Sequence, residues 1–176
     1  MNRLLCGLAL ALALAGPARA SSDVDIAIVP TVQASAYTAN YALGALQTIN
    51  AFRDNSAPSG IIDYLSVGWQ SGLTTAVTVY VFDKYPANTT CNDKAAFSLG
   101  TAPNSDVAKI VPGFPVTLTP AVLTGATPSA ATQAVVASVN NQDLPPTLQL
   151  YVCFVAAAVT PASTSDFAAK ISISRD

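Results

Sequence analysis

The sequence predicts an all-β protein: a single antiparallel β-sandwich following an N-terminal signal peptide. Three observations lead there. Apolar residues recur at every second position in several short segments. Clusters of Gly, Pro, Asn, Asp and Ser separate those segments. No long stretch holds helical spacing without Thr or Gly interrupting it. Eight or so short strands with irregular loops fit a sandwich of the jelly-roll kind.

Val24 to Val32 alternates early and contains Pro30, which suits a first or edge strand. Between 35 and 53, Tyr37, Tyr41, Ala45 and Ile49 recur at helical spacing, but Thr38, Gly44 and Thr48 favour extended structure over a short helix. Asn55 to Gly60 is a turn cluster, and Ile61 to Trp69 a strand. Ser71-Gly72 turns the chain into Thr75 to Phe82. There Val77, Val79 and Val81 share one face and Thr78, Tyr80 and Phe82 the other, a strand covered on both sides. These two strands read as the central hairpin of one sheet. Asp83 to Asp93 is a polar loop, and Lys94 to Leu99 a helical turn or short strand. Val107 to Leu118 is extended but interrupted by Pro112 and Pro115, as at an edge or bend. Thr119 to Ala131 is a surface loop and Thr132 to Val139 a strand. Leu148 to Val159 is the longest apolar strand, and Ala168 to Ser174 closes the chain with Ile171 and Ile173 inward.

Residues 1–20 read as a secretory signal. Arg3 supplies a positive start, Leu4 to Ala15 an apolar run, and Ala18-Arg19-Ala20 the small residues a signal peptidase requires. The run is too short to cross a bilayer, which takes roughly 20 residues. Residues 21–176 then form one domain, periplasmic or extracellular, with no membrane insertion once the signal is cleaved. Omitting Arg3 and Arg19 from the eight basic residues, against ten acidic ones, leaves that domain a formal charge of about −4. A mildly acidic body with scattered lysines has no electrostatic footprint for nucleic acid.

The domain contains no His and no Glu, so nucleophilic triads lack their usual base. Asp63, Asp83 and Asp93 show no spacing that brings paired carboxylates together, and zinc lacks its imidazole ligands. No enzyme is expected, and no cofactor. Calcium is the one ion for which a loop offers hard oxygen donors: Asp83, Asn88, Asn92 and Asp93. Turn chemistry explains the same residues equally well. Cys91 and Cys153 are an even pair in an oxidising compartment, giving either a disulfide or two buried thiols. Tyr64, Trp69 and Tyr80 form either a sugar platform or core packing. Asn88-Thr89-Thr90 has the form of a glycosylation acceptor.

Several phrases occur in order: Tyr41-Ala-Leu-Gly44, Ser59-Gly60-Ile61-Ile62, Val79-Tyr-Val-Phe-Asp83 with Pro86 and Asp93 behind it, Leu150-Tyr151, and Ser163 to Phe167 running to Arg175-Asp176. Together they resemble a family of small β-rich proteins met in tailed-phage genomes, often among virion structural genes. That resemblance implies a particle-associated sandwich with no catalytic residues to carry over. The export signal departs from the family pattern and points to a cellular relative sent to the envelope or beyond. The expected role is therefore non-enzymatic and structural or surface-associated. It would act by contact with other protein subunits, with copies of itself in a homo-oligomer, or with a particle or cell surface. The alternative is an exported module that binds carbohydrate or calcium.

Overall fold

Alternation decides which face each strand buries, and here it assigns strands to two sheets instead of one. The computed structural model describes residues 22–50, 60–120, 132–136, 143–144 and 149–175. Residues 1–20, which the sequence predicts to be a signal, and most of the 119–131 loop lie outside them. Ten strands occur among the described residues: β1 Ser22–Ile28, β2 Tyr41–Ala42, β3 Gln47–Ile49, β4 Gly60–Trp69, β5 Val77–Phe82, β6 Val116–Leu118, β7 Thr132–Val136, β8 Asp143–Leu144, β9 Leu150–Ala156 and β10 Phe167–Arg175.

The first sheet has the order β1-β10-β4-β7, with β8 also paired to β4. The second has the order β2-β9-β5-β6, with β3 also paired to β9. Every pairing is antiparallel. Gly60 meets Arg175 on one side and Leu144 on the other, so β7 and β8 share one edge of β4. By the same reasoning β2 and β3 share one edge of β9. Counting each pair as one interrupted strand leaves two four-stranded sheets, the jelly-roll arrangement.

One expectation needs correcting. β4 and β5 are not a hairpin, because they lie in different sheets. Residues 70–76 arch over the end of the sandwich, which spans the roughly 10 Å between stacked sheets. The indole of Trp69 donates to the Thr75 carbonyl at 3.1 Å, and Gly72 takes φ +80°, a conformation glycine adopts at little cost. Residues 35–50, the described part of the 35–53 region, contain β2 and β3, and Lys94 to Leu99 contributes only isolated bridges. The longest strand is β4 (10 residues), ahead of β9 (7).

The main core lies between the sheets. Leu65, Val67 and Trp69 of β4 and Phe167, Ile171 and Ile173 of β10 face Val77, Val79 and Val81 of β5 and Val152 and Phe154 of β9. Phe167 stands at its centre, 5.1 Å from the Trp69 ring and 5.0 Å from the Phe154 ring. Tilted aromatic pairs of this kind add about 0.5–1.5 kcal/mol beyond their buried area.

A second, smaller apolar layer covers the outer face of the second sheet. Phe82, Cys153 and Val155 are buried there, with Tyr80 and Tyr151 beside them. The long β5–β6 connection, residues 83–115, supplies the cover through Cys91, Phe97, Leu99 and Ile110. Phe97 stacks on Tyr80 at 4.3 Å. Cys91 and Cys153 are joined by a disulfide, which fastens the connection to the middle of β9. Closing a loop of 62 residues restricts the unfolded chain by about 3–4 kcal/mol on the chain-entropy model.

Removing the Phe167 ring should leave a cavity that the surrounding rings cannot collapse to fill. We expect Phe167→Ala to cost about 3–5 kcal/mol. Urea unfolding followed by tryptophan fluorescence will measure it, and a loss below about 1 kcal/mol would contradict the packing described.

Candidate functional site

The polar groups that carry chemistry elsewhere hold loops in place here. Asp93 lies in the β5–β6 connection. Its Oδ1 accepts the Tyr37 hydroxyl at 2.6 Å and the Gly44 amide at 2.7 Å. Gly44 has φ +69°, and a Cβ there would stand 2.5 Å from the Cβ of Pro30. Only glycine lets the β2–β3 turn pass that close and still present its N–H to Asp93. The Tyr37 oxygen also accepts from the Gln33 amide at 2.7 Å. Burial, and then the bond to Asp93, hold this phenol well above its ordinary pKa.

Asp106 opens a single 3-10 turn, Asp106–Lys109, and is 1 % exposed. Its Oδ2 accepts the Asn88 amide at 2.7 Å and the Thr89 hydroxyl at 2.9 Å. Lys109 Nζ lies 2.7 Å from Oδ1. Burial alone would raise its pKa, but the bonds from Lys109, Thr89 and the Asn88 amide outweigh it and hold the carboxyl below its usual range. Asp166, also 1 % exposed, accepts the Ser71 amide on Oδ1 at 2.7 Å. Its Oδ2 takes the Ser71 hydroxyl at 2.7 Å and the Ala162 amide at 2.8 Å. It thereby ties the β4–β5 arch to the β9–β10 connection.

On the outer face of the first sheet, Asp63 accepts the Ser174 hydroxyl at 2.5 Å. Asp63 is the extra residue of a β-bulge, since Tyr64 pairs with Ser172 and Ile62 with Ile173. Lys170 meets Asp25 at 2.5 Å, Tyr64 donates to Asp25 at 2.9 Å, and the ammonium sits 5.2 Å from the Tyr64 ring centroid. Hydrogen bonds from Lys170, Ser172 and Tyr64 lower the pKa of Asp25, and the bond to Asp25 raises that of Lys170. Around this trio the face carries small residues: Ala27, Ser66, Gly68, Ala168 and Ser172.

The candidate calcium residues have separate surroundings. Asp93 faces Tyr37 and Gly44, and Asn88 is exposed while its amide serves Asp106. Asn92 is exposed, and Asp83 stands where β5 ends, its amide donating to the Lys109 carbonyl at 3.0 Å. Among the described residues, no group of three or more His, Cys, Asp or Glu is placed to hold a metal ion. The aromatics also part company, because β4 and β5 lie in different sheets. Trp69 is in the core, Tyr64 on the outer face of the first sheet, and Tyr80 under Phe97. Sequence reasoning missed Asp106 and Asp166. Both sit in Ser- and Asn-rich turns that read as solvated, and Asp166 reaches Ser71 across 95 residues.

A groove of about 630 Å³ lies at one side of the sandwich. Val24 to Val29, of β1 and its end, form one wall, and Gln47 to Asn50 of β3 and its end form the other.

No protein-family model matches this sequence, and no curated protein matches it. Among solved structures, the chain is similar to one in the crystal structure of tomato aspermy virus. Identity is 10 %, over 97 % of this chain and 92 % of that one, with a TM-score of 0.45. That likeness is to a viral chain and not to a tailed-phage one.

Asp106 gives a pH dependence whose sign follows from its environment. Its folded pKa is depressed, so its contribution to stability is complete above the unfolded value of about 3.9 and is lost as pH falls through the folded one. We expect Asp106→Asn to lower stability at pH 7 by about 1–3 kcal/mol and to flatten the acid limb of the stability profile. Chemical denaturation at stepped pH measures both, and an unchanged acid limb would refute the assignment.

Proposed function

We propose that this chain is an exported β-sandwich without a catalytic site, and that it works by contact with further protein subunits or with the surface of a particle or cell. The observation that carries this reading is the employment of the aspartates. In a sequence with no His and no Glu, the two buried carboxylates among the described residues, Asp106 and Asp166, and the half-buried Asp93 each accept two or three hydrogen bonds that fix a loop. General acid–base catalysis needs such a group within reach of a substrate proton. These face backbone amides and hydroxyls of their own chain. The small-residue outer face of the first sheet supports the reading, since flat faces with few long side chains permit close approach. Export is supported by the features of residues 1–20 and by the Cys91–Cys153 disulfide, which persists in oxidising compartments. The acidic body fits protein or surface partners better than nucleic acid.

Two measurements test this. Protein recovered after export, its mass showing whether residues 1–20 have been removed, should co-sediment with particles or intact cells of its source and stay in the supernatant without them. Failure to sediment with either would sink the contact reading. In a thermal-shift series, calcium and a glycan panel should leave Tm unchanged, and a shift of several degrees with one of them would favour a ligand-binding module instead.

A further inference from the structure

We infer that the outer edge of β1 is a two-fold interface, at which β1 of a second copy adds antiparallel and fills the groove beside β3. This rests on the contact reading above and names the partner. β1 ends the first sheet: all seven of its residues pair with β10, and among the described residues no strand pairs with its other edge. Such an edge presents a row of backbone donors and acceptors that templates another strand. The groove of about 630 Å³ lies against the same strand, lined by Val24, Ile26 and Ile28 and by Gln47 to Asn50. A strand added to β1 projects every second side chain to that side, where apolar residues at alternate positions would meet Val24, Ile26, Ile28 and Ile49.

β1 itself meets that requirement, and its charges select the register. In an antiparallel self-pairing, opposed residues share a face. A two-fold axis at Val24 leaves Ala27 and Ile28 without partners in β1, and an axis at Asp25 sets that residue against itself. Like charges directly opposite are unfavourable. An axis at Ala27 moves pairs onto Val29 and Pro30, beyond the end of β1. An axis at Ile26 keeps like charges apart and pairs Val24 to Ile28 with one another, five residues within β1 against the three that an axis at Ala27 keeps. Val24 then faces Ile28 of the second copy, Ile26 faces its own equivalent, and these side chains point into the groove. On the outer face Asp25, held by Lys170 at 2.5 Å, lies opposite the exposed Ala27. The two first sheets become one continuous sheet across the dimer.

Sedimentation velocity on the exported protein over a concentration series should show a monomer–dimer equilibrium. Ala27 is exposed, so substitutions there leave the fold intact, which circular dichroism checks. Ala27→Asp places like charges opposite each other twice and should weaken the dimer by about tenfold, whereas Ala27→Ser, which adds no charge beside Lys170, its partner on β10, should leave it unchanged. Ile26→Cys should give an intermolecular disulfide under mild oxidation. Ala27→Cys should not, its equivalent lying on a diagonal of about 7–8 Å, beyond disulfide reach. A monomer at every concentration overturns the interface. So does a dimer indifferent to charge at position 27, or cross-linking at 27 in place of 26. Any of these results combined with continued sedimentation on particles or cells removes the β1 interface while leaving the contact reading in place.

Discussion

The second sheet is apolar on both faces, and most of the architecture answers that fact. β5 and β9 turn Val77, Val79, Val81, Val152 and Phe154 toward the first sheet, and Tyr80, Phe82, Tyr151 and Cys153 away from it. An antiparallel sheet commonly leaves one face to water. Here the outward set is too hydrophobic for that, so a chain segment must cover it. Residues 83–115 do so, which explains why the one pair of consecutive strands that hydrogen-bond in this sheet, β5 and β6, is separated by so long an excursion.

Irregular cover of that kind has many backbone groups and little secondary structure to satisfy them. The sheltered aspartates solve the problem. A carboxylate offers about four lone-pair sites, so Asp106 alone answers an amide, a hydroxyl and an ammonium. Leaving such donors buried and unmatched costs about 1–3 kcal/mol each. The disulfide acts on the same segment by a different route, since it limits the unfolded chain as well as pinning Cys91 to β9. A protein with so few charged residues has thus placed Asp93, Asp106 and Asp166 where they organise loops.

What the sequence reveals, and what it hides, follows from the range of each interaction. Alternation is local, so Val77 to Phe82 could be read as a strand buried on both faces, and Pro30 marked β1 as an edge. Sheet membership is not local. Gln70 to Ala76 is a short polar link with a glycine, and it looks the same whether it closes a hairpin or arches between sheets. The deciding contacts, Trp69 to Thr75 and Ser71 to Asp166, depend on where the rest of the chain has gone. Asp93 was visible as an oxygen donor in a loop, yet its partners Tyr37 and Gly44 lie 56 and 49 residues away. Without them a structural acceptor and a metal ligand are indistinguishable. The pairing of Cys91 with Cys153 stood open for the same reason.

Jelly rolls serve many unrelated purposes, so the fold by itself assigns none. Its asymmetry here is more informative. One sheet is sealed beneath a layer fixed by a disulfide and two carboxylates, and that side of the molecule is committed to holding itself together. Among the described residues the other sheet carries Ala, Ser and Gly around an Asp25–Lys170–Tyr64 cluster. Its terminal strand borders a groove with apolar side chains on one wall. That edge has no covering strand among the described residues, whereas β5 and β9 lie beneath the layer of residues 83–115.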